Sequence, residues 1–249
     1  MNLDQPWKIT ALICLLAFLR IIWGLWRQAP ARAFVVELLD SGLIAFVLVF
    51  VLIRPFVVQA FYIPSRSMVP ALMDHDRILV NKFIYRLNPP ERGDIIVFDA
   101  PPQALQGDTK KDYVKRLIGL QGDSIEIRRD VGVFINGQLL KEPPGMPLPD
   151  EDWPADDMGM PTGHPYVVPP NAYFVLGDNR NDSNDSHKWF EIVDGRHVSR
   201  PELDKERVLG KAMVIFWPPS RIGLASDHGQ VQVPQQPRLV SRPMTRAAR

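Results

Sequence analysis

The stretch DYVKRLIGLQGDSIEIRRDVGVFINGQLL, residues 112–140, decides the fold. It holds three β-branched and aromatic runs: DYVKRLIGL (112–120), DSIEIRR (123–129) and GVFINGQLL (132–140). Short turn signals separate them, which predicts strands joined by tight connections. The Asn136-Gly137 step reads as a hairpin turn, because such a turn needs positive φ at both central positions. The pattern extends in both directions, with DRILVNKFIY (76–85), GDIIVFDA (93–100), AYFVLGDN (172–179) and RVLGKAMVIFWP (207–218). The turn NPPERGD punctuates the first pair. Residues 141–170 are rich in Pro, Asp and Gly and read as an irregular excursion. After Pro218 the chain turns polar, and residues 229–249 carry four arginines and no acid, the signature of a disordered tail. The 24 prolines argue against long helices beyond the N-terminus.

The N-terminus has a different character. ITALICLLAFLRIIWGLW (9–26) is an apolar run broken only by Arg20, and SGLIAFVLVFVLI (41–53) is a second run without charge. The second is shorter than the ~20 residues that span a bilayer and must recruit FVVELLD upstream, with Glu37 and Asp40 near one interface. The candidate spans are therefore 9–26 and 34–53. The first run lacks an A-x-A cleavage site, so it is not read as a removable leader. The loop between the runs holds Arg27 and Arg32, which places it on the cytoplasmic side and the body of the chain outside. The body lies outside as well if only the second run spans. The expected class is mostly β and antiparallel, anchored by one or two N-terminal transmembrane helices. The anchor covers 1–53, the β core 54–123 and 169–218, a small β extension 124–168, and the tail 219–249.

Composition narrows the function classes. The chain has 249 residues, enough for one sizeable domain or two small ones. The formal charge is +1, which gives no bulk electrostatic case for nucleic acid. The single cysteine, Cys14, forbids an intrachain disulfide. No metal is expected: DHD at 74–76 is the only dense cluster of ligand types, and neither H-E-x-x-H nor C-x-x-C occurs.

Directly after the apolar segments comes FYIPSRSMVPAL (61–72), with hydroxyls at Ser65 and Ser67 between Pro64 and Pro70. A serine nucleophile needs a base. His187 in DSHKW and Lys115 in DYVKRLIGL are both candidates, and the residue pattern leaves the choice open. The S-x-x-K spacing of penicillin-binding enzymes is absent.

Four blocks in order, PSRSMVPAL, RGDIIVF, DYVKRLIGLQGD and GDNRNDSNDSHKW, resemble the type I signal peptidases of bacteria. The resemblance implies a β-rich fold, no cofactor, and a membrane-bound serine endopeptidase that removes signal peptides from exported preproteins after A-x-A-like sites. It implies Ser67 as nucleophile and Lys115 as general base. The oxyanion hole is formed by the Ser65 hydroxyl and the Ser67 N–H, and Ser183 orients the lysine. Asp178, Arg180 and Asp185 brace the site. Ile63, Met68, Tyr113 and Val114 match positions lining two shallow pockets for small side chains. The chain departs from the family pattern at Arg66 and Ala71, where Gly and Thr are usual. It departs again at Gln121 in place of the proline of LPGD, at His187 in place of a common arginine, and in the order NDSND.

Elementary acid–base chemistry fits the lysine. A free amine with pKa near ~10.4 is about 0.04% neutral at pH 7, and burial that lowers it toward ~8 raises this to about 10%. The implied partners are signal peptides and the phospholipid bilayer, the chain acting as a monomer on the outer face of the cytoplasmic membrane. Three rivals remain at this level. They are a soluble self-cleaving regulator with the same chemistry, a related maturation peptidase of a conjugation system, and an inactive membrane-anchored β module.

Overall fold

The computed structural model describes residues 6–25, 31–49, 58–105, 107, 109–142, 146–149 and 165–228. The loop with Arg27, residues 50–57, most of the excursion between 143 and 164, and residues 229–249 lie outside the described residues.

Two helices, α1 (Pro6–Leu25) and α2 (Arg32–Val47), pack against each other. Arg20, the one break in the first apolar run, reaches across to Asp40 with its Nε 2.8 Å from the carboxylate. Among the described residues no helix is long and apolar enough to cross a membrane.

The body is antiparallel β. Its strands are β1 (Val58–Tyr62), β2 (Arg77–Asn81), β3 (Ile95–Asp99), β4 (Asp112–Gly119), β5 (Ser124–Arg128), β6 (Gly132–Ile135), β7 (Gln138–Leu139), β8 (Tyr166–Val167), β9 (Ala172–Leu176), β10 (Phe190–Val193), β11 (Arg196–Ser199), β12 (Leu203–Asp204), β13 (Val208–Trp217) and β14 (Gly223–Leu224). The main sheet runs β1-β2-β13-β3-β4-β9-β12, with β14 against β13. β5–β8 make a separate four-stranded sheet, and β10–β11 a hairpin. β1 and β4 stand four places apart, yet both border one cleft. The sheet must therefore curl, as twisted antiparallel sheets do.

β3 shows why the central runs are continuously apolar instead of alternating. Ile95 and Val97 enter one core with Ile63, Met68 and Leu72; Ile96 and Phe98 enter a second with Leu117, Val175 and Trp189. A strand buried on both faces keeps no polar side. A third core, with Ile118, Ile125, Val133 and Phe174, joins the small sheet to β4 and β9. Gly119 lets them meet: a Cβ there would fall 2.8 Å from that of Phe174.

Three local departures from the sequence reading have physical causes. DRILVNKFIY is strand only to Asn81, whose Oδ1 accepts the N–H groups of Phe83 and Ile84 and starts the short helix Ile84–Leu87. The β10–β11 hairpin turns at Asp194-Gly195, both with positive φ, a signal as legible as Asn136-Gly137 but not picked out from the sequence. Residues 219–228, expected within the tail, instead add a 3-10 turn, β14 and a second 3-10 turn.

Candidate active site

Ser67 sits in the loop between β1 and β2, and that loop is closed on itself. Ile63 N–H donates to the Asp76 carbonyl at 2.9 Å, His75 N–H to the Ile63 carbonyl at 2.8 Å, and Leu72 N–H to the Met68 carbonyl at 2.9 Å. Met68, Ala71 and Leu72 are buried beneath it. From beyond β13, Arg221 bonds both Asp76 carboxylate oxygens at 3.0–3.2 Å and donates to the Ala71 carbonyl at 3.1 Å. Sequence reading gave neither residue a role, because a residue 145 positions away carries no local signal.

β4 supplies the partner. Lys115 lies opposite Ile96 in the β3–β4 register and is 4% exposed. Its Nζ donates to Ser67 Oγ at 2.8 Å and to the Val114 carbonyl at 3.0 Å. It also stands 5.3 Å over the Tyr113 ring. Burial lowers its pKa from 10.5 to about 8, against the opposing pull of Asp185 and Asp178. Ser65 Oγ is 3.3 Å from Ser67 Oγ.

The bracing residues form three buried groups. Arg116, beside Lys115 on β4, makes a two-pronged bond to Asp178 at 2.7 and 2.6 Å, and both side chains are inaccessible to solvent. Arg180 donates to the Gly177 carbonyl at 3.0 Å and pairs with Glu142, which ties the small sheet's exit to the site. The Glu142 carboxyl is pushed up by burial, with Arg180 pulling the other way.

Asp185 accepts the Gly177 N–H at 2.7 Å and pairs with His187 Nδ1. Burial alone would raise the Asp185 carboxyl, but His187, the Gly177 N–H and Ser183 outweigh it and hold the carboxyl below its usual range. Burial pushes the His187 imidazole down, and Asp185 offsets this only in part. The neutral ring thus donates to the carboxylate. His187 occupies the place where the family pattern has arginine, and it still gives Asp185 a partner. It is engaged there, and its side chain is not among those bordering the cleft.

Ser183 is buried, and its hydroxyl has no hydrogen-bond partner of good geometry, so no bond joins it to Lys115. It packs over Gly177 instead. A Cβ on Gly177 would fall within 3.0 Å of the Ser183 hydroxyl and of the Ser67 carbonyl. The Asn179 N–H holds that same carbonyl at 3.1 Å.

The cleft above Ser67 has a volume of about 570 Å³. Ile63, Met68, Tyr113 and Val114 all border it, with Ser65, Ser67 and Lys115. The structure thus brings the expected serines, lysine and pocket residues to one cleft. Asp178, Arg180, Asp185 and Ser183 lie in the loop behind it. Among the described residues no cluster of His, Cys, Asp or Glu could hold a metal ion.

A serine hydroxyl bonded to a buried amine, at the wall of a cleft of about 570 Å³, has the parts of a serine hydrolase. Residues 35–217 match the family described as signal peptidase, peptidase S26. The probable signal peptidase I-2 of Synechocystis sp. is 39% identical over 205 residues, 82% of this chain and 83% of its own length. The signal peptidase I of Leptolyngbya laminosa is 40% identical over 174 residues, covering 69% and 74%. That of Mycobacterium tuberculosis is 33% identical over 232 residues, covering 80% and 76%. The chain belongs to the S26 signal peptidases, and its relatives place it with the type I enzymes.

Proposed function

We propose that Ser67 and Lys115 act as a dyad that cuts signal peptides from exported preproteins after A-x-A-like sites. The observation that carries this reading is the 2.8 Å bond between Lys115 Nζ and Ser67 Oγ, made by an amine whose pKa burial lowers to about 8. About a tenth of such amines are neutral at pH 7. A neutral amine accepts the Ser67 proton as Oγ attacks the scissile carbonyl. The Ser67 N–H and the Ser65 hydroxyl stabilise the oxyanion. The resulting ammonium protonates the leaving amine, and a water activated by the same lysine releases the acyl-enzyme. Ser183, whose buried hydroxyl is not otherwise committed to a well-formed bond, is assigned the orienting of Lys115.

The substrate docks as an added strand between the β1 end and β4. Its small side chains, at the first and third positions before the cut, enter the hollows bordered by Ile63, Met68, Tyr113 and Val114. Residues 1–53 anchor the enzyme, and the body works on the outer face of the cytoplasmic membrane as a monomer. The outward-facing Leu15, Phe18, Ile22, Phe34, Leu38 and Ile44 support a lipid-facing hairpin, in which Asp40 neutralises Arg20.

The decisive test compares Lys115→Arg with Lys115→Ala. Arginine keeps the charge but cannot lose its proton. Both variants are expected to lose about 10²–10⁴-fold or more in preprotein cleavage while staying folded by circular dichroism. Substantial activity in the arginine variant would remove Lys115 from the mechanism.

A further inference from the structure

We propose that Arg66 is a specificity-determining residue that reads a carboxylate side chain within the first two residues after the cut. This rests on the Ser67–Lys115 reading and extends it to the far side of the scissile bond. Arg66 stands between Ser65 and Ser67 in the chain, is exposed, and borders the same cleft. Its backbone is held on two sides. The Arg66 carbonyl accepts the Val69 N–H at 3.1 Å and Asn179 Nδ2 at 3.3 Å, while the adjacent Ser67 carbonyl accepts the Asn179 N–H at 3.1 Å. The Cα is thus fixed next to the nucleophile and the long side chain sweeps a small region around it. Among the described residues the guanidinium forms neither an ion pair nor a hydrogen bond.

The remaining charges on the cleft wall do not neutralise it. Asp112 faces Asp99 across the β3–β4 register, and Lys110 bonds Asp99 at 3.1 Å. Lys111 and Asp182 stand on the rim. The apolar part of the cleft, bordered by Phe61, Ile63, Met68 and Val114, suits the small residues before the cut. Arg66, Asp182 and Asn184 border the same cleft, and Arg66 is assigned to the residues after the cut. A guanidinium is a planar fork that matches a carboxylate, and in this exposed setting the pair is worth about three- to fivefold in kcat/KM.

The test uses the full chain in detergent micelles and synthetic peptides spanning a signal-peptide cut. The peptides differ only in carrying Ala, Asp or Lys at the first or second residue after the cut, or at the second residue before it. The wild type should prefer Asp over Lys after the cut by about three- to fivefold. Arg66→Ala should abolish the preference and Arg66→Glu should reverse it. Should Arg66→Glu fail to cut any peptide, the Asp/Lys ratio of Arg66→Ala decides. Equal ratios in wild type and variants overturn the proposal, as does a charge preference confined to the residue before the cut. Cleavage of the alanine peptide separates the two levels: its loss in the wild type overturns the dyad reading and this one with it, whereas its presence with unchanged ratios overturns only Arg66.

Discussion

At neutral pH the ammonium form of Lys115 occupies a site that is only 4% exposed, and its pKa falls from 10.5 to about 8. The unfolded chain therefore holds a proton more readily than the folded one between about pH 8 and 10.5. Folding stability rises with pH through that window, and below it the buried charge costs about 3 kcal/mol. Lys115→Met should accordingly be dead in cleavage yet more stable at pH 7, by up to that amount less the lost bond to Ser67. The gain should fade as pH approaches 10.5. Chemical denaturation at pH 7 and pH 10 checks it. A methionine variant that is less stable at pH 7 would show that the amine is a structural prop and not a strained base. Wild-type activity should climb through an apparent pKa near 8.

At the scale of elements, the geometry of Ser67 is borrowed from its neighbours. Gly177, the first residue after β9, has no room for a side chain because Ser183 and the Ser67 carbonyl close over it. Gly177→Ala should displace the Ser67 loop and reduce kcat by at least about 10²-fold, the scale of a misplaced catalytic group. The loss should exceed that caused by Gly24→Ala, where an added Cβ would meet none of the described side chains within 4 Å. Arg221 clamps the far end of the same loop through Asp76 and Ala71. Arg221→Met leaves the inaccessible Asp76 carboxylate without its main cation and is expected to cost about 3–5 kcal/mol. Its kcat should fall before its KM changes. A melting temperature equal to wild type would mean that the clamp contributes nothing. The β4 register is the shared frame for both effects, since one strand carries Tyr113 and Val114 to the cleft, Lys115 to Ser67 and Arg116 to Asp178.

At the scale of the whole molecule, acid should be the enzyme's weak side. The unfolded His187 binds a proton near ~6.5, whereas burial holds the folded ring below that. Stability contributed by the neutral ring is complete above ~6.5 and declines as pH falls beneath it. Asp185, held low in the fold, adds a further loss at lower pH, as it is protonated in the unfolded chain first. Melting temperature should drop steadily below pH 6.5, and the slope should flatten in His187→Gln. An unchanged slope in that variant would assign the acid sensitivity to groups other than His187, with Asp185, held low in the fold, the nearest of them.

Sequence by itself determined the β class, the hairpin at Asn136-Gly137, the apolar N-terminal runs and the residues that meet in the cleft. Each is written locally, in side-chain type, in turn chemistry, or in short blocks whose order resembles one family. Ser67 and Lys115 could be named, although the residues alone left His187 open as a base. Tertiary structure decided what that choice depends on. Burial of Lys115 comes from sheet neighbours scattered over the chain, and occupation of His187 by Asp185 places the ring behind the site. The Arg116–Asp178 pair, the Arg221–Asp76 clamp and the closed space over Gly177 had no local signature, because a contact between residues 62 or 145 positions apart exists only once distant strands such as β4 with β9 and β2 with β13 have paired. Runs of β-branched and aromatic residues bounded by turn signals say which residues are in a strand. The lowered pKa and the cleft arise where strands distant in the sheet order are brought face to face, a property of the closed fold that no single segment contains.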